Sequence, residues 1–101
     1  MIYSGRKAVT AAGTPVPLTS TRTAAAWVTV CADTGNSGVV YVGGTNVQNA
    51  AGSGGYIGHP LSAGEFVNLR EMGGPSYIDL KYIYVDADTT NDAVTYNYGV
   101  R

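Results

Sequence analysis

The phrase "ADTGN" at residues 32–36 returns fifty-five positions later as "ADTTN" at residues 87–91. The match runs outward on both sides, with Val30 falling on Val85, Val39 on Val94 and Tyr41 on Tyr96. Each copy sets Val- and Tyr-rich flanks of strand length around Asp, Thr, Asn, Gly and Ser. Such residues turn a chain through left-handed φ or local side-chain hydrogen bonds. The repeat therefore predicts two similar hairpins: "AAWVTVCAD" into "VVYVGG", and "YIYVDAD" into "AVTYNYG". Asp33 and Asp88 stand where a carboxylate accepts backbone N–H bonds in a turn. Duplication and convergence on the same turn chemistry would both leave this pattern.

Aligning the copies predicts which face is buried. Val28 and Val30 fall on Ile83 and Val85, apolar both times, while Thr29 and Cys31 fall on Tyr84 and Asp86. Side chains alternate across a strand, so the first four should face the core. On the return strands Val39, Tyr41, Val94, Tyr96 and Tyr98 are expected inside, and Val40 and Val42, which match Thr95 and Asn97, outside. Continuing backwards from Ile83 by twos would bury Lys81 and Asp79, which is costly. A β-bulge near Lys81 or Tyr82 is the expected remedy.

With 14 Gly, 12 Val, 11 Thr and 8 Tyr among 101 residues, the chain favours strands joined by tight turns and is poor in helix formers. "RKAVTAAGTPVPLTS" reads as a short strand and a Pro-punctuated edge segment, "EFVNL" as another strand, and "REMGGPSY" as a turn. The expected fold is all-β: a single domain over residues 1–101, a compact antiparallel β-sandwich or small jelly roll of about seven or eight short strands. Residues 1–7 read as an N-terminal arm, and 43–60 as a long, mobile Gly-rich loop.

Six basic against seven acidic residues give no electrostatic footprint for nucleic acid or an anionic membrane. No transmembrane run occurs, and Arg6 and Lys7 interrupt the start before any secretory-type apolar core. Cys31 is the single cysteine, which excludes an internal disulfide and fits a reducing cytoplasm; it reads as strand packing rather than a reactive thiol. His59 is the only histidine, with no second His or Cys at metal-ligand spacing. Asp86, Asp88 and Asp92 lack the Gly and Glu of a calcium loop, and turn chemistry explains them. "GGTNVQNAAGSGG" has no Lys for a phosphate loop. No catalytic constellation, metal site or cofactor site is expected.

Aromatic residues exceed what so small a core holds. Tyr3, Trp27, Tyr56, His59, Tyr82 and Tyr84 are the candidate interface residues. Three readings stand: the loop and arm fold over them, they form a protein interface, or they make a sugar-stacking platform.

The order "AVTAAGTPVPLTST", "WVTVCADTGNSGVVYVGG", "GHPLSAGEFVNL", "IYVDADTTNDAVTYNYG" resembles small all-β structural proteins of tailed bacteriophages. That resemblance implies a non-enzymatic virion protein, a capsid decoration (cement) protein. It would bind the major capsid protein as a homotrimer on the capsid surface, after assembly in the host bacterial cytoplasm. The alternative is a tail, baseplate or fibre module that faces a receptor and binds sugar through Tyr56 and the 43–60 loop. A small cupin-like enzyme, which would need a metal, is the remaining class.

Overall fold

The computed structural model describes residues 1–70 and 77–100; of the turn expected across "REMGGPSY", residues 71–76 lie outside the described residues. Ten strands occur among the described residues: β1 (Ile2–Ala8), β2 (Val16–Pro17), β3 (Ala24–Ala25), β4 (Trp27–Ala32), β5 (Val40–Gly43), β6 (His59–Leu61), β7 (Phe66–Arg70), β8 (Ile78–Asp79), β9 (Tyr84–Ala87) and β10 (Ala93–Gly99). A first antiparallel sheet has the order β1-β10-β4-β7, a second the order β2-β9-β5-β6, and β3 pairs with β8. Setting aside the two-residue β3 and β8 and counting the remaining eight in chain order, the two sheets read 1-8-3-6 and 2-7-4-5. This is jelly-roll order. One antiparallel ribbon starts at the β5–β6 hairpin and continues through β4–β7, β2–β9 and β1–β10, wound so that its halves pack face to face.

The repeat is real, but it does not make hairpins. β4 pairs with β10 and β7, whereas β5 pairs with β9 and β6, so residues 33–39 cross from one sheet to the other. Residues 88–92 cross back between β9 and β10 in the same way. Each copy is thus a corner of the roll, and the two corners lie side by side and clamp each other. The Asn36 side chain accepts from Ala93 N–H and donates to Ala93 C=O, both at 2.9 Å. Asp92 returns the favour, accepting from Ser37 N–H at 3.0 Å and Gly38 N–H at 2.8 Å. Asn91 takes a left-handed φ of 72° to complete its corner.

The corners differ by one residue, and that difference corrects one face assignment. Val40 lies eight positions after Ala32, whereas Val94 lies only seven after Ala87; all four are fully buried. A one-residue slip reverses a strand. Val28, Val30, Ile83, Val85, Val94 and Tyr96 line the core as expected, with Tyr98 packed against it. On β5, however, Val40 and Val42 point inward, and Tyr41 points the other way; Val39 is half-buried.

Near Lys81 the chain uses a 3₁₀ turn, Leu80–Tyr82, where a bulge was expected. It buries Leu80 and leaves Lys81 and Tyr82 outside. Asp79 caps it, its carboxylate accepting from Thr23 N–H at 2.9 Å and Lys81 N–H at 3.0 Å. The Thr23 bond leads in holding the Asp79 carboxyl below its ordinary value, against some desolvation, with help from Lys81 N–H and the Arg22 and Lys81 charges.

Two segments expected to be irregular are ordered parts of the roll. Residues 2–8 form an edge strand paired along its length with β10, not an arm. Tyr3 stacks on Tyr98 with ring centroids 5.4 Å apart, and Tyr98 lies 6.1 Å from Tyr96, so the three rings form a row along the inner side of β1 and β10. Gly5 lets the Tyr96 ring lie on the β1 backbone, where any Cβ would overlap it. The 43–60 segment is the ribbon's hairpin tip, bridged at Gln48 and Ile57 and carrying β6 at its end.

Candidate functional site

The two sheets share a core, and each has an outer face. The second sheet's is covered by its own hairpin tip. Asp86, between inward Val85 and Ala87, is only 1% exposed because the tip descends on it. Its carboxylate accepts from Gly13 N–H at 2.9 Å, Asn49 N–H at 3.0 Å and Ala87 N–H at 2.8 Å. Asn49, also buried, donates to Ala87 C=O, and Ala50 N–H reaches Asp88. Tyr41 stacks on Tyr56 from the tip at 5.1 Å and donates its hydroxyl to Asp88 at 2.9 Å. Burial, reinforced by that carboxylate, pushes the Tyr41 phenol up to about 12.

The first sheet's outer face is open and four strands wide. Strand register places its residues in rows: Ile2, Gly99, Trp27 and Arg70; then Ser4, Asn97, Thr29 and Asn68; then Arg6, Thr95, Cys31 and Phe66. Short side chains hydrogen-bond across the middle row, Ser4 Oγ donating to Asn97 Oδ1 and Thr29 Oγ1 to Asn68 Oδ1, each at 2.6 Å. Arg6 binds Asp33 through Nη2 at 2.6 Å and Nε at 3.0 Å. Trp27 lies flat on Gly99, where a Cβ would collide with the indole. Beside it a shallow groove opens between β4 and β7, lined by Trp27, Thr29, Asn68 and Arg70.

The six expected interface residues do not form one site. Trp27 is on the open face, and Tyr84 and Tyr56 lie on the covered side of the second sheet. Tyr3 turns to the inner side of β1 against Tyr98. His59 is exposed at the start of β6 opposite Val42, and Tyr82 projects from the 3₁₀ turn. The sequence reading missed Ile2, Phe66, Asn68 and Arg70, which share Trp27's face. Their signal was the period-two alternation of "IYSGRK" and "FVNLR", legible only once Val67 and Leu69 are known to turn inward.

Cys31 sits half-buried on the open face, its Sγ near Ala32 C=O and Gly64 C=O. Asp86, Asp88 and Asp92 each serve separate backbone donors, and among the described residues no three His, Cys, Asp or Glu side chains converge as a metal would require. No helix among the described residues is long and apolar enough to cross a membrane. No family model, curated protein or solved structure matches the chain.

Proposed function

We propose that the protein is a non-enzymatic virion structural protein of a tailed phage: a capsid decoration protein that binds the major capsid protein as a homotrimer and holds neighbouring subunits together. The observation that carries this reading is the contrast between the faces. The chain spends the eighteen residues 43–60 on covering one sheet and leaves the other as an open surface bearing Trp27, Phe66 and Ile2 among short polar groups. Mixed surfaces with an aromatic anchor suit protein contacts. Many weak contacts per particle add up through avidity without new chemistry. Eight-stranded jelly rolls recur in viral capsid and lectin domains, a support by analogy of fold.

Co-sedimentation with empty phage heads tests it. The protein should pellet with heads, and Thr95→Lys, on the inner strand β10 of the open face and away from both edge strands, should abolish pelleting while leaving the fold intact. Equal pelleting of wild type and variant would reject the face, and no pelleting of wild type would reject the function.

The groove gives a second reading, a sugar-binding module of a tail or fibre. An indole, a guanidinium, an amide and a hydroxyl around one shallow depression are groups that stack on and hydrogen-bond to a pyranose ring. This moves the candidate sugar site from the 43–60 tip to Trp27, Thr29, Asn68 and Arg70. Glycan-array binding lost in Arg70→Ala would favour it over the first.

A further inference from the structure

The four edges of the two four-stranded sheets are finished in two different ways. Both edges of the second sheet are short and carry proline: β2 has Pro17, with Pro15 just before it, and β6 has Pro60. Proline on an edge blocks further strand pairing. Among the described residues the edges of the first sheet have no such block. β1 and β7 run for seven and five residues, contain no proline, and expose Ile2 at 68% and Phe66 at 60%.

Backbone bonding fixes which groups those edges present. Val9 N–H bonds to Asp92 C=O and Val100 N–H to Met1 C=O, so odd-numbered residues of β1 face β10. Ile2, Ser4, Arg6 and Ala8 therefore point N–H and C=O away from the sheet. Ala32 N–H bonds to Glu65 C=O, which by the same alternation turns Phe66, Asn68 and Arg70 outward on β7.

We infer that β7 of one copy pairs antiparallel with β1 of a second copy, joining first sheets edge to edge. Direction allows it, because strands alternate across β1-β10-β4-β7 and a following β1 continues the alternation. Row-for-row register also brings complementary groups together. Asn68, whose Oδ1 is taken by Thr29, turns its Nδ2 donor to Ser4 Oγ of the next copy, and that hydroxyl already donates onward to Asn97. The Phe66 ring meets the aliphatic stem of Arg6, whose guanidinium is held by Asp33, and the Arg70 stem meets Ile2. Such pairing is heterologous, so it forms a closed ring or an open chain. It takes from the decoration reading only the expectation of a homo-oligomer, and copies joined this way need bind no capsid.

Light scattering after size exclusion tests it with Ser4→Pro and Asn68→Pro. Each substitution removes an outward N–H and no internal ladder bond, and circular dichroism checks that the variants fold. The wild type should run at a multiple of the 10.5 kDa chain and each variant at one chain. Because each variant keeps one sound edge, mixing the two should give a dimer and nothing larger. Should either proline variant unfold, Ser4→Lys and Asn68→Lys, which set like charge beside Arg6 and Arg70, should give the same pattern. A wild-type mass of one chain overturns the inference, including the case in which these edges accept an extended segment of a different protein. An unchanged mass in Asn68→Pro also overturns it, because pairing would then not use β7. Head co-sedimentation is a separate readout, so this inference and the decoration reading fail independently.

Discussion

The outer face of the second sheet is covered and crowded, whereas that of the first is open to solvent, although both sheets contribute alternate residues to one core. The difference arises from what lies at the centre of each face. Asp86 on the second sheet is a carboxylate that water cannot reach, so it needs backbone donors, and the hairpin tip supplies one through Asn49 while the segment after β1 supplies another through Gly13. On the first sheet the corresponding positions hold Ser4, Asn97, Thr29 and Asn68, which satisfy one another side by side and remain exposed to solvent. Covering a face thus takes a buried acceptor that draws loops onto it, and a row of self-satisfied short polar groups leaves the face free.

The largest expected effect probes the covered face. Asp86→Ala removes the acceptor of three backbone N–H groups in a site closed to water, and each buried donor left without a partner costs about 1–3 kcal/mol. A loss of about 3–4 kcal/mol is expected in urea denaturation, together with release of the tip, read as loss of amide-exchange protection at Asn49. A loss below about 1 kcal/mol would mean that the tip is held by other contacts and that the contrast between the faces has a different origin.

A middle-sized effect sharpens the one-residue difference between the corners. Val40→Ala should cost about 1–3 kcal/mol, since Val40 is fully buried between the sheets, and Val39→Ala less than about 1 kcal/mol. The reverse order would restore the gap-free alignment of the two copies and turn Tyr41 into the core.

Those two valines also mark how far the sequence could be read. Alternation identified Val28, Val30, Ile83, Val85, Val94 and Tyr96 as core, because burial on one face is written directly in a period of two. Which sheet a strand joins is not written there: Asp, Asn and Gly suit a hairpin and a sheet-to-sheet corner equally, so the repeat looked like two hairpins. The extra residue in the first corner sits among turn residues that carry no periodic signal, and Tyr41 looked inward for that reason. β1 was hidden because an edge strand needs little apolar content, and β6 because Pro60 reads as a loop until its strand is seen at an edge. At the candidate site, Trp27's outward direction was legible, but its neighbours were not, since Phe66, Asn68 and Arg70 come from a strand thirty-nine or more residues away that register alone brings alongside.

A smaller effect follows from Tyr41. Its phenol titrates at about 12 in the folded protein against 10.0 ordinarily. The folded state therefore holds a proton that the unfolded chain releases first, and raising the pH favours the unfolded chain. The stability from this group is whole below pH 10 and is lost as the pH rises to about 12. Tyr41→Phe should cost about 1 kcal/mol at neutral pH, through the lost bond to Asp88, and should flatten the alkaline fall in stability. Tyr96, also raised by burial, keeps part of that fall in the variant. An identical alkaline profile in the variant would show that Tyr41 is not sealed by the tip.

The smallest expected change tests the open face. Thr29→Ala and Asn97→Ala each remove one partner of a solvent-exposed side-chain pair, and water replaces the lost bond at little cost, so each should shift stability by no more than about 0.5 kcal/mol. The two lie in adjacent strands of one row, which makes the double variant informative: near-additive small losses mean that the row is not a structural network, whereas a combined loss of about 2 kcal/mol would mean that it braces the sheet. A face that can be altered without stability loss is one whose residues are free to serve a partner. The same double variant should therefore lose partner binding while its urea midpoint stays in place, the opposite of Asp86→Ala, which should lose stability first.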